Sequence, residues 1–352
     1  MRALVKTAPG PGHIELRDWP EPNAGPGQVK LQIAACGICG TDIHIINGTW
    51  GCRPPVVLGH EWCGIVVDTG PGVRHLAIGD RVVASNPAQT CGVCYYCNAG
   101  NPFMCPDRVS AGYMIDGAFA DFLCIDARRC HSLPDHVTFR EAALGEPLAV
   151  AIHAAIERTT VHAGDLVLIS GPGAIGLLTM QIAKLEGARV IIAGLARDKR
   201  RLDCARELGA DMLVNVEEHN VVDIVRSESH GRGADLVYEC SGNALSLAHC
   251  WQAVRKGGTL SPLGVYPGPF ETDFNSIMMK ELNVIGSYGY VWTSWERTVQ
   301  LLAEHRINVN AMISHEFTLE EYQQAFEVTQ DGSGIKVVIS PGINSENGNR
   351  LQ

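Results

Sequence analysis

The chain has 352 residues, 46% of them hydrophobic and 19% charged, which suits two domains that each bury a full core without disulfide staples. A formal net charge of -10 and the lack of any Lys/Arg-rich run exclude a nucleic-acid partner, because phosphate-backbone binding needs clustered cations. No stretch approaches the roughly 18 to 20 apolar residues of a membrane span, and residues 1–7 lack a signal-peptide apolar run, so a cytoplasmic protein with no membrane contact is expected. Any disorder is expected to be confined to the polar tail from Ser345 to Gln352.

Residues 1 to about 140 carry short β-branched runs, such as 28–33 and 62–67, between Gly- and Pro-rich turns, and read as strands and loops. Residues 141–158 are apolar with a helical pattern and read as a bridge between domains. From Asp165 the texture changes: apolar strands at 166–169, 189–193, 235–238 and 258–260 alternate with helical patterns, including 177–185. Continuous apolar strands separated by helices indicate a parallel sheet covered on both faces. After about residue 288 the alternation ends. A helix at 295–305 and a last strand at 336–340 form a piece too small to fold alone, which is expected to return to the N-terminal half.

Three motifs carry chemistry. Cys91, Cys94, Cys97 and Cys105 place four soft thiolates in one short loop, enough to close a tetrahedral zinc shell with no position left for substrate; such a site is structural. Gly171-Pro172-Gly173-Ala174-Ile175-Gly176 lies between a strand and a helix, the setting in which glycines let a dinucleotide pyrophosphate approach a helix N-terminus. The third set is dispersed: Cys36 and Cys39, then His60 and Glu61, then Glu146. One thiolate, one imidazole and one carboxylate would leave a coordination position open, as catalytic zinc requires. Spacing alone does not assemble these segments, and it equally allows His60 as a core histidine and Glu146 as a helix cap.

At the end of the second strand of the parallel sheet, Gly194 stands where a carboxylate would hold a ribose 2′-hydroxyl. Its absence beside Arg197, Lys199 and Arg200 removes a barrier to a 2′-phosphate. The alternative is that Asp198 reaches back to the ribose while the arginines form a solvated helix face. The cofactor is therefore NAD or NADP, with a lean to NADP.

Taken in order, residues 36–42 (Cys-Gly-Ile-Cys-Gly-Thr-Asp), 59–61 (Gly-His-Glu), the four-cysteine loop, 146–150 (Glu-Pro-Leu-Ala-Val) and the glycine turn resemble the zinc-dependent medium-chain alcohol and polyol dehydrogenases over essentially the whole chain. Within that family the chain is most similar to the sorbitol and threonine dehydrogenase branch. The resemblance implies an α/β protein: a mostly β, GroES-like catalytic domain at 1–150 with a zinc lobe at 88–108, a Rossmann-type doubly wound parallel sheet at 151–288, and a C-terminal return at 289–352. It implies a catalytic zinc on Cys39, His60 and either Glu61 or Glu146, and a structural zinc on the four cysteines. Thr41 would take the substrate proton and His44 would relay it to solvent past the cofactor ribose. Asp42 would fix the His60 ring from behind. Cofactor contacts would involve residues Gly171 to Gly176, Gly194, Arg197, Arg201 and Val265.

The activity implied is reversible oxidation of a secondary alcohol in a polyol or sugar-like molecule to a ketone by a homodimer or homotetramer. Threonine or a simple alcohol is the alternative substrate, and a catalytically silent NAD(P)-binding protein the alternative function. One departure bears on substrate: Gly289 stands where the sorbitol enzymes carry an arginine for substrate hydroxyls, while Tyr290 is retained.

Overall fold

A computed structural model describes residues 1–341, so the polar tail from Ser345 to Gln352 lies outside the described residues. The chain divides into two compact units. One comprises residues 1–146, 291–305 and 313 onward, and the other 147–290 and 306–312.

The first unit is built on three sheets. Strands β1 (Arg2–Lys6), β2 (Ile14–Asp18) and β4 (Val56–Val57) form one sheet, in the order β2-β1-β4. The larger sheet runs β10 (Cys130–Ser132), β6 (Arg81–Ala84), β5 (Glu61–Thr69), β3 (Gln28–Gly37), β18 (Lys336–Ser340), β17 (Ile313–Thr318), with β9 (Phe122–Asp126) also on β3. In β3 the side chains of Val29, Leu31 and Ile33 are buried and those between them are not, the period-2 pattern of a strand with one covered face. A small pair, β7 (Pro87–Gln89) and β8 (Val109–Ser110), brackets the cysteine loop. Two pairings matter for function. Gly37 of β3 lies opposite Glu61 of β5, and β18 runs antiparallel to the end of β3, with Val338 opposite Gly37. The ends of three strands distant in sequence therefore meet.

The second unit is a six-stranded parallel sheet in the order β13 (Met212–Asn215), β12 (Arg189–Gly194), β11 (Leu166–Ser170), β14 (Ala234–Glu239), β15 (Val254–Pro262), β16 (Asn283–Val284). The first strand in sequence, β11, lies in the middle, and the chain winds outward from it in both directions. That order creates a crevice at the carboxyl end of β11, where α/β sheets bind their ligands. β11 is buried along Leu166 to Ile169, as expected of a strand covered on both faces.

Several boundaries differ from expectation for local reasons. The helix expected at 177–185 begins at Ala174, because Gly173 is its N-cap and the Gly173 carbonyl accepts the Leu177 N–H at 2.9 Å. The helix expected at 295–305 runs Trp292–Ala303, where the Ser294 hydroxyl accepts the Val291 N–H at 3.1 Å. The bridge at 141–158 is not one helix. It comprises Phe139–Ala142, Gly145–Ile152 and a π-helical turn His153–Arg158, so a division at residue 150 falls inside a helix. Nor does all of 289–352 return to the first unit. Residues 306–312 stay with the second, where the Gln181 side-chain oxygen accepts the Asn308 N–H at 2.8 Å.

Candidate active site

Cys39 is the N-cap of the helix Gly40–Ile46, just beyond the end of β3, and His60 immediately precedes β5. One ligand atom each from Cys39, His60 and Glu61 lies within 4.8 Å of the others. His60 and Glu61 are 4% and 1% exposed. Asp42, wholly buried on the same helix, accepts the Cys39 N–H at 2.9 Å through Oδ2 and presents Oδ1 to His60 Nδ1 at 3.3 Å. The expectation that Asp42 backs the His60 ring thus has a geometric counterpart. Burial works against an imidazolium here, but Asp42 and Cys39 outweigh it and hold the His60 pKa well above the ordinary histidine value. The donor set fits zinc: one sulfur, one nitrogen and one oxygen, with His60 and Glu61 buried and Cys39 half-buried, form a mixed shell of three donors that leaves a tetrahedral position for a further ligand.

Glu146, second residue of the helix Gly145–Ile152, is not in the 4.8 Å group. It lies in the same electrostatic neighbourhood: burial first, then the Glu61 charge, push its carboxyl up to about 7. Thr41 and His44 lie three residues apart on the helix Gly40–Ile46, a spacing that puts them on one face. His44 Nδ1 lies 3.1 Å from the Thr49 hydroxyl, which leaves Nε2 as the ring's other proton site.

Lys336 was not foreseen. It is the first residue of β18, 3% exposed, and its Nζ ion-pairs with Glu61 and donates to the Ile38 carbonyl at 2.9 Å. Burial disfavours its charge, but Glu61 and Cys39 more than compensate and raise its pKa. A lysine opening an otherwise apolar strand was the only available signal. Tyr113 also went unnoticed; its ring meets His60 edge-on, with centroids 6.1 Å apart.

The four-cysteine loop closes on itself. Cys91, Cys94, Cys97 and Cys105 bring their sulfurs within 4.8 Å of one another, with Cys91 Sγ 3.6 Å from Cys105 Sγ and 4.0 Å from Cys97 Sγ. A tetrahedron with metal–sulfur bonds of about 2.3 Å has sulfur–sulfur edges of about 3.8 Å, so the spacing fits zinc. Backbone N–H groups of Val93 and Cys94 hold the Cys91 thiol down to about 7. Cys94, despite the Cys97 N–H, is raised to about 11 by burial and by the neighbouring sulfurs. Four sulfurs at this separation cannot all be thiolates without a cation among them. Cys97→Ser is accordingly expected to lower Tm by about 5 °C or more, as loss of a metal that contributes folding free energy would. An unchanged thermal scan would count against this site.

In the second unit, the glycine turn lies at the carboxyl end of β11. Gly171 has φ +105°, and a Cβ there would come 2.9 Å from the Ser241 nitrogen. Gly173 differs: its φ of -73° suits any residue, and a Cβ would meet nothing within 4 Å. The open space above its helix N-terminus fits a pyrophosphate, with Ala174, Ile175 and Gly176 in the first turn. At Gly194 a Cβ would come 2.8 Å from Pro172 Cγ, so a side chain there would require Pro172 to shift. Asp198 is engaged locally: its Oδ2 accepts the Leu195 N–H at 3.0 Å and its Oδ1 pairs with Arg201 at 3.2 Å. Arg197 is exposed, and Glu217 accepts the Ala196 N–H at 2.6 Å. Val265 is 46% exposed in the turn after β15. Gly289 has φ +68°, and the neighbouring Tyr290 is 3% exposed.

Comparison with known proteins agrees with this arrangement. Residues 25–135 match the alcohol dehydrogenase GroES-like domain, and residues 174–304 match the zinc-binding dehydrogenase domain. The sorbitol dehydrogenase of Halalkalibacterium halodurans is 39% identical over 342 residues, covering 97% of this chain and 99% of that protein. The L-threonine 3-dehydrogenase of Pyrococcus horikoshii is 36% identical over 349 residues, covering 96% and 98%. Among solved structures, a zinc-binding dehydrogenase from Sinorhizobium meliloti 1021 bound to NADP superposes with a TM-score of 0.88 at 33% identity, covering 97% of this chain and 99% of that one.

Proposed function

The chain belongs to the zinc-dependent, NAD(P)-linked medium-chain alcohol dehydrogenases, and from that premise we propose that it interconverts a secondary alcohol of a polyol or sugar-like molecule and the corresponding ketone. The observation that carries this reading is the Cys39, His60 and Glu61 set, half-buried at the cysteine and buried at the other two, with its ligand atoms within 4.8 Å. These three would hold the catalytic metal, with Glu146 as the carboxyl behind them. Zinc held there supplies Lewis-acid polarisation of the substrate hydroxyl. Asp42 keeps the His60 ring oriented and its Nδ1 side occupied. Thr41 takes the hydroxyl proton, and His44, with Nε2 free of the Thr49 contact, delivers it to solvent. Reaction at a secondary carbon accords with the 39% identity to a sorbitol dehydrogenase, while Gly289 in place of an arginine argues for a polyol that needs no cation at that position.

For the nucleotide, the lack of a carboxylate at Gly194 and the tying of Asp198 to Leu195 and Arg201 weaken the case for an unphosphorylated ribose, although Glu217 caps the same turn at the Ala196 N–H. Arg197, exposed in the same turn, supplies a cation, and NADP is the cofactor proposed. A second copy would cover the exposed Phe274, Met278 and Met279 beside β16, whose outer edge is the edge of the parallel sheet; light scattering decides between dimer and tetramer. None of the thirteen cysteines is in a disulfide, which suits the reducing cytoplasm.

The test is reduction of NAD+ and NADP+ in parallel by a panel of polyols, threonine and simple secondary alcohols, with and without a zinc chelator. Chelator-sensitive turnover of a polyol with NADP+ is expected, and Arg197→Ala should weaken NADP+ about tenfold while leaving NAD+ within about twofold. Turnover of threonine alone, or equal loss for both nucleotides, would overturn the substrate or the cofactor assignment respectively.

A further inference from the structure

Glu239, the last residue of β14, is fully buried, and no ion pair involves it among the described residues. An uncompensated carboxylate in such a place is costly unless several donors satisfy it. Five do. Oε1 accepts from the Ser241 N–H at 2.8 Å, from the Ser241 hydroxyl, and from the Ser246 hydroxyl at 3.0 Å. Oε2 accepts from the Gly242 N–H at 3.1 Å and from the Tyr266 hydroxyl at 2.7 Å. The Glu239 carbonyl oxygen in turn accepts the Leu263 and Gly264 N–H groups at 2.7 and 2.9 Å.

The Ser241, Gly242 and Tyr266 donors lie on the turns that leave β14 and β15, while Ser246 lies in the first turn of the helix Ala244–Ala253, and its hydroxyl continues to the Ser170 hydroxyl, at 2.7 Å, on the strand that enters the glycine turn. The three turns are in contact. A Cβ on Gly171 would reach the Ser241 nitrogen, and one on Gly264 would come within 2.6 Å of Gly242 Cα. All three emerge at the carboxyl ends of neighbouring strands, the side of the sheet on which nucleotides bind.

We infer that Glu239 is a positioning residue for the nicotinamide cofactor, its carboxylate tying the 171–173, 241–243 and 263–266 turns into one bed. This rests on the NAD(P) reading above. The arrangement needs a carboxylate and not an amide, because each oxygen accepts one backbone N–H. Hydroxyl groups of Ser241, Ser246 and Tyr266 can rotate to meet an amide, but the N–H groups of Ser241 and Gly242 cannot. Glutamine must point its NH2 at one of them.

The test is titration of NADPH and NADH fluorescence with wild type, Glu239→Gln and Tyr266→Phe, alongside Tm, zinc content and steady-state kinetics. Expected are dissociation constants raised at least about tenfold in E239Q and about threefold in Y266F. Zinc content should stay at the wild-type level, and the cofactor KM should rise by more than kcat falls. Wild-type dissociation constants in both variants, whatever their Tm, would overturn the inference and leave Glu239 a fold residue. If E239Q does not fold, an unchanged constant in Y266F has the same force. Wild-type protein that binds neither nucleotide would overturn the cofactor reading itself, and this inference with it.

Discussion

His60→Ala is expected to lower kcat by at least about 10³-fold and to leave NAD(P)H binding within about twofold, because the Lewis acid supplies several kcal/mol and each 1.4 kcal/mol is about tenfold in rate. His60 contributes one ligand atom of the 4.8 Å set, and no other described imidazole belongs to that set. Its removal also strands Asp42, whose Oδ1 has His60 as its partner at 3.3 Å in a fully buried position. The glycine turn and Glu239 belong to the other unit and are untouched. Cys39→Ala should behave alike. Zinc per chain, measured in the purified variant, should fall from two towards one, since the four-cysteine loop keeps its own ion. Full turnover in either variant, with the loop still loaded, would remove the catalytic metal from the proposal.

How much of this could be read from the sequence follows from how local each feature is. The glycine turn and the cysteine loop were legible because every participant lies within a few residues of the next, and strand, turn and helix follow in order. The absence of a carboxylate at Gly194 was legible too. Its cause was not, because Pro172 meets Gly194 only when β11 and β12 pair. Cys39 and His60 could be grouped through resemblance but not through spacing; the pairing of Gly37 with Glu61 is what unites them. Lys336 lay beyond either route. It acts across 298 residues on Ile38 and also on the distant Glu61, and only the antiparallel run of β18 beside the end of β3 delivers it. Glu239 looked like the polar end of an apolar strand, and its five donors come from two turns and a helix start that approach it only once the neighbouring strands β14 and β15 are paired.

Lys336→Met is expected to destabilise the protein by about 3–5 kcal/mol when zinc has been chelated, the usual cost of removing one member of a buried ion pair and leaving the other charged. Both partners are almost inaccessible, at 3% and 2% side-chain exposure, so solvent cannot take over the role of the missing ammonium. The Ile38 carbonyl loses its donor in the same step. A divalent ion beside Glu61 would supply part of the lost countercharge, so the gap in Tm between wild type and variant should be narrower in zinc-loaded than in chelated protein. Glu61→Gln in the Lys336→Met background removes the stranded charge and should recover part of the stability, a coupling that a double-mutant cycle measures. Activity should not recover with it, because Glu61 is a proposed metal ligand and Lys336 its positioning cation. Equal Tm gaps with and without metal, or additive losses in the cycle, would mean that the pair is not the electrostatic partner of the metal site. Restoration of both stability and turnover by the double substitution would mean that Glu61 is not a ligand, and would shift the carboxylate role to Glu146.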